Sequence, residues 1–171
     1  MTKEIEQYET MIKTILDALD KHDINLATGV PDGWLVPMIN GLSEDKRFDY
    51  IPAAREEECF GIAAGAAMSG QRALVLMQNS GFLNSVGAFT TLCQKYQTPF
   101  VCLIAHRGGI NDSNSYDPNK YKSFEALTRA VNIFVYPSSW ENLPLNIPKA
   151  IARSEGAGEP AFITLSEGLK A

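Results

Sequence analysis

The sequence is poor in the residues that usually hold metals. Its two histidines, His22 and His106, stand 84 positions apart with no ligand spacing between them, which argues against zinc. Its three cysteines, Cys59, Cys93 and Cys102, are odd in number and form no CxxC pair. They read as reduced, buried thiols of a cytoplasmic protein, not as a disulfide frame. There is no GxSxG, GxGxxG or GxxxxGK[ST], so neither a serine hydrolase nor a diphosphate-cradling loop is supported. The net charge of -5 argues against non-specific nucleic-acid binding, which needs a basic face. No apolar run reaches the roughly 18 residues a membrane span needs. The opening MTKEIEQYE is too polar for a secretion signal.

What is present is ordinary globular material: 171 residues, 45% hydrophobic and 20% charged, enough for a single domain over 1–171. Apolar positions Ile5, Tyr8, Ile12, Ile15, Leu16 and Leu19 recur at helical spacing and predict a helix over 4–21. After it, short apolar runs alternate with helical stretches. Strands are predicted at 24–28, 48–52, 73–77, 99–105, 132–136 and 161–165. Helices are predicted at 33–43, 55–70, 82–95, 123–131 and 139–154, with a long polar loop at 108–122. The alternation predicts a three-layer α/β fold, a six-stranded, mainly parallel sheet with helices on both faces. Ligands in such folds bind beyond the carboxyl ends of the strands. Four polar segments follow strands directly, GVPDGW, AAREEE, QNSG and HRGG. They are expected to line one edge.

The segment REEECFGIAAG at 55–65 stands out. Glu56, Glu57 and Glu58 open a helix, where the macrodipole favours acids. Gly61, Ala63, Ala64, Gly65, Ala66 and Ala67 follow, although glycine costs roughly 1 kcal/mol against alanine inside a helix. So small a face suits close approach by a helix, a subunit or a flat ligand. The predicted edge offers carboxylates (Asp32, Glu56), amides (Gln78, Asn79, Asn84), a hydroxyl (Ser80) and a cationic pair (His106, Arg107). That inventory suits assistance to a cofactor that performs the chemistry itself.

REEECFGIAAGAA, LVLMQNSGFLNS and LIAHRGG, taken together, resemble the pyrimidine-binding domain of thiamine-diphosphate enzymes, in particular the sulfopyruvate and phosphonopyruvate decarboxylase branch. GVPD at 29–32 is similar to the N-terminal loop of the phosphonopyruvate enzymes, and the likeness spans about 10–165. It implies that Glu56, nine residues before Gly65, bonds the aminopyrimidine N1'. This favours the imino tautomer, so that the exocyclic nitrogen takes the thiazolium C2 proton and the carbanion attacks a 2-oxo group. Glu57 and Glu58 are left as a helix start. Gln78, Asn79, Ser80 and Gly81 are expected as a turn facing cofactor and substrate. Asp32 is expected on the substrate side, although by its residues alone it is equally a turn aspartate capping the next helix. Arg107 is a candidate reader of a sulfonate or phosphonate, or a surface arginine. His106 is a proton donor or a polar neighbour.

There are departures from the family pattern. Leu83 stands where relatives have glycine, so a positive φ there would be strained. GAFTTL at 87–92 replaces a common NPLTSL. The family's GDG motif, which with a later Asn holds magnesium and diphosphate, is absent. The resemblance therefore implies the α subunit of a split decarboxylase, in a hetero-oligomer of αβ units. A β subunit carrying GDG...N would bring Mg2+ and grip the diphosphate, and the substrate would be a small anionic 2-oxo acid. A different decarboxylase or carboligase subunit, or a non-catalytic module keeping the fold, are the alternatives.

Overall fold

In a computed structural model, which describes residues 2–113 and 118–169, every strand is parallel to its neighbours. The strands are β1 (Leu26–Gly29), β2 (Asp49–Pro52), β3 (Ala73–Gln78), β4 (Val101–Ala105), β5 (Phe134–Ser138) and β6 (Ala161–Leu165), in the spatial order β2-β1-β3-β4-β6-β5. The helices are α1 (Thr2–Lys21), α2 (Val36–Glu44), α3 (Glu56–Met68), α4 (Asn79–Ala88), α5 (Pro118–Ala130) and α6 (Leu143–Ala157). A π-helical turn, Phe89–Gln94, continues α4. Among the described residues no helix is long and apolar enough to cross a membrane.

Side chains alternate across each strand, and the alternation builds two cores. Leu74, Leu76, Leu103 and Ile163 face α1, α2 and α6, meeting Ile15, Leu19, Met38 and Ile147. Val75, Met77, Cys102, Ile104 and Phe162 face α3, α4 and α5. The second core is aromatic: Phe82 meets Phe60, Phe89, Phe124 and Phe162 edge-on, at centroid distances from 5.1 to 6.4 Å. Such pairs add about 0.5–1.5 kcal/mol each beyond area burial.

Element identity follows the sequence reading and several boundaries move. β1 begins two residues late and β5 runs 134–138, because Asn132 takes a left-handed φ of 57° after α5. α6 starts at Leu143, with Pro144 in its first turn, and stops where Gly158 adopts φ 68°. Part of the expected 108–122 loop is helical, since α5 begins at Pro118; 114–117 lie outside the described residues. The largest correction is at QNSG. It is not a turn: α4 starts at Asn79, so Asn79, Ser80 and Gly81 form a helix's first turn. Leu83 is therefore helical, and the strain expected there does not arise: the non-glycine residues with positive φ, among those described, are Asp23, Gln97 and Asn132.

Candidate functional site

β2 and β3 lie on opposite sides of β1, so the chain's direction of winding reverses there. A crevice between strand ends is expected at such a reversal, and the segments after β1, β3 and β4 meet at it. Asp32, on the turn after β1, is buried. Its Oδ1 accepts the Trp34 amide at 2.9 Å. Its Oδ2 accepts from Gln78 Nε2 at 3.0 Å and from Arg107 Nη1 at 3.2 Å. The carboxylate thus closes its own turn and bridges two neighbouring strands, and does not cap α2. Ser80 Oγ donates to Gln78 Oε1 in a short hydrogen bond. Asn79, fully buried, donates from Nδ2 to the Arg107 carbonyl at 3.0 Å. That bond and the Phe82 packing outweigh the low helix propensity of Asn-Ser-Gly.

The three glutamates separate by role. Glu58 Oε2 accepts the Ala54 and Arg55 amides at 2.9 and 3.3 Å, capping the start of α3. Glu57 pairs with the exposed Arg55 guanidinium at 2.9 Å. Glu56, half-buried, faces the first turn of α4. A Cβ at Gly81 would fall 2.5 Å from Glu56 Oε1 and 2.6 Å from its Cδ, so only glycine permits this approach. Among the described residues nothing donates a hydrogen bond to the Glu56 carboxylate. A polar ridge therefore runs from Gly81, under Glu56, through Ser80 and Gln78 to Asp32 and Arg107.

Arg107 is not the surface arginine that is one of its two readings from sequence. Its side chain is 9% exposed. Asp112 binds it through Nε at 2.7 Å and Nη2 at 3.1 Å. The Trp34 ring covers one face, 4.4 Å from the guanidinium carbon to its centroid. These carboxylates, Asp112 foremost, hold its pKa above the ordinary arginine value.

His106 is not brought to the ridge. Its ring stacks on Tyr121 at 3.9 Å, 2° from parallel, and meets Phe124 at 4.8 Å. Burial lowers its pKa against smaller opposing effects of the Tyr121 carbonyl and Glu125, so the imidazole is neutral at pH 7. It borders a separate cleft of about 560 Å³ shared with Glu125, Ser138 and Thr164. The thiols are inert: burial pushes Cys59 up to about 11 and Cys93 up to about 12, and drives the fully buried Cys102 well above 9. Among the described residues no His, Cys, Asp and Glu cluster is placed to hold a metal.

The reading of the sequence missed Trp34, Asp112 and Tyr121. The available signal for Asp112 was its place five residues beyond Arg107, across a Gly-Gly bend that folds the chain back.

Residues 9–123 match the family described as thiamine pyrophosphate enzyme, N-terminal TPP binding domain. A protein of Methanocaldococcus jannaschii named sulfopyruvate decarboxylase subunit alpha is 41% identical over 98 residues, 57% of this chain and 58% of its own length. A phosphonopyruvate decarboxylase of Streptomyces viridochromogenes is 32% identical over 85 residues, 50% of this chain and 21% of its own. The matched stretch thus spans less than two thirds of either relative. The crystal structure of benzoylformate decarboxylase from Polynucleobacter necessarius superposes with a TM-score of 0.66, at 19% identity, over 91% of this chain and 29% of that one. That last likeness concerns the fold alone.

Proposed function

We propose, from the premise that this chain belongs to the family of thiamine pyrophosphate enzyme N-terminal TPP binding domains, that it is the α subunit of a split decarboxylase. The substrate is an anionic 3-substituted pyruvate, 3-sulfopyruvate or 3-phosphonopyruvate, and the products are the aldehyde and CO2. One observation carries the reading. Glu56 holds its carboxylate over a glycine floor with no hydrogen-bond donor among the described residues. This fits the aminopyrimidine half of thiamine diphosphate, which offers a ring nitrogen in need of a carboxyl partner. When bound, the cofactor supplies a nucleophilic thiazolium carbon and an electron sink for CO2 loss.

The chain's own residues then have assigned tasks. Glu56 would hold the pyrimidine ring nitrogen by a hydrogen bond. Gly81 lets that carboxyl lie close, and Ser80, Gln78 and Asn79 hold the first turn of α4 against the strand ends. Asp32 is the carboxyl on the substrate side. The overall reaction, R–CH2–CO–COO⁻ plus a proton giving R–CH2–CHO and CO2, takes up one proton. The Asp32 carboxylate, which accepts from Gln78 and Arg107 and so has no proton of its own to give, would steer that proton.

Nothing in the sequence supplies the GDG motif for diphosphate. In this proposal a β subunit holds Mg2+ and diphosphate, and the site forms between chains in the cytoplasm. The open side of α3 supports the partner: a Cβ at Gly61 or Gly65 would meet nothing within 4 Å, and Met68 beside them is 58% exposed.

The test is co-expression with a partner carrying GDG...N, measuring CO2 release from both substrates with and without thiamine diphosphate and Mg2+. The isolated chain is expected to be inactive. Glu56→Gln in the complex is expected to lose about 10²-fold or more in kcat, the scale of a lost acid–base group. Near-normal turnover by that variant, or robust turnover by the isolated chain, would overturn the assignment.

A further inference from the structure

We propose that Arg107 is a positioning residue and not the group that reads the substrate's anion, and that Asp112 is the counter-charge that fixes it in that role. The inference rests on the decarboxylase reading and names what one of its site residues does.

Charge comes first. One guanidinium meets two carboxylates, Asp32 at 3.2 Å and Asp112 at 2.7 Å. The Asp32, Arg107 and Asp112 side chains are 7%, 9% and 0% exposed. A sulfonate or phosphonate approaching Arg107 would meet a guanidinium whose Nε, Nη1 and Nη2 already hold carboxylates, in a low-dielectric setting. To bind as a fork it would also have to displace a buried carboxylate that has no water to return to. Trp34 closes one face of the guanidinium plane as well.

Geometry comes second. Arg107 joins segments that the topology leaves separate. Through Nη1 it holds Asp32 on the turn after β1, and through its carbonyl it holds Asn79 at the start of α4. Through Nε and Nη2 it grips Asp112. Asp112 in turn folds the loop upon itself: its Oδ2 accepts the Gly108 amide at 2.8 Å, and its own amide donates to the Gly109 carbonyl at 3.0 Å. Gly108 sits at φ +91°, a conformation side chains rarely adopt. The bend is therefore built to return Asp112 to Arg107. Asp32 ends with Oδ1 fixed by its own turn and Oδ2 fixed by Gln78 and Arg107. A carboxylate so constrained has one orientation.

Two measurements test this. In the αβ complex, Arg107→Lys keeps the charge but loses the planar fork needed to grip two carboxylates at once. The expected result is a kcat about 10-fold or more lower for 3-sulfopyruvate and for uncharged-tail pyruvate alike. The ratio of their kcat/KM values is expected to stay within about 3-fold of wild type, the pattern of lost positioning rather than lost substrate binding. A selective rise in KM for 3-sulfopyruvate, with the ratio falling about 10-fold or more, would overturn the inference. In the isolated full chain, Asp112→Asn is expected to speed amide hydrogen exchange at Gly108 and Trp34, while exchange in β3 and β4 is retained. Unchanged exchange at both amides would overturn it equally. If the wild-type complex decarboxylates neither substrate, the functional proposal fails, and the exchange result still decides whether Asp112 and Arg107 hold the loop.

Discussion

At the scale of single residues, the candidate site depends on one missing methyl group. Gly81 lies in the first turn of α4, where alanine would favour the helix by about 1 kcal/mol. The same methyl would occupy the space of the Glu56 carboxyl. Gly81→Ala is therefore expected to leave the thermal unfolding midpoint of the chain nearly unchanged. In the complex it is expected to cost about 10²-fold in kcat, because reacting groups tolerate little misplacement. CO2 release measured beside a thermal melt separates the two effects. A variant as active as wild type would mean that Glu56 has room the structure does not give it. Asp32 and Arg107 are held by directional bonds instead. Their burial makes each dependent on the other, whereas Glu56 depends only on space.

At the scale of elements, the start of α3 divides three identical side chains among three environments. Glu58 satisfies two amides that precede the helix and have no intrahelical partner. Glu57 pairs with an exposed arginine. Glu58→Ala is expected to destabilise the isolated chain by about 1 kcal/mol, the usual cost of losing a cap. Glu57→Ala is expected to produce no measurable change, as for most exposed ion pairs. Urea unfolding of the two variants checks this, and equal losses would contradict the division. The same scale explains α4. Its first three residues, Asn-Ser-Gly, have turn chemistry, yet they are helical because Asn79 is anchored to Arg107 and Phe82 is locked among four aromatic rings.

At the scale of the whole molecule, the sheet is covered on both faces while the outer side of α3 is left bare. Gly61 and Gly65 face open space, and a surface of this kind is flat enough for another polypeptide to lie against. Gly65→Leu tests whether it does. Nothing within 4 Å opposes the new side chain, and leucine suits a helix interior better than glycine. The isolated chain is thus expected to melt at the wild-type temperature or slightly above it. Association with the proposed β subunit, followed by size-exclusion chromatography, is expected to weaken about 10-fold or more, since overpacking at a close-packed contact is costly. Unimpaired assembly would place the partner on another face.

The sequence by itself determined the class of the molecule. Strand and helix identities depend on apolar periodicity, which is local, so six strands and their helices were legible, AFITL at 161–165 to the residue. Glu56 was legible as distinct from its two neighbours only through its family-like spacing to Gly65; its approach to Gly81 was not. Tertiary structure alone decided the rest, because those outcomes depend on contacts between residues far apart in the chain. It turned QNSG from a turn into a helix start. It gave Arg107 two carboxylates, from positions 32 and 112, in place of solvent. It laid His106 under Tyr121, away from the ridge. Local propensity is worth a fraction of a kcal/mol per residue, and a buried unpaired charge costs several, so wherever the two disagreed the long-range pairing prevailed.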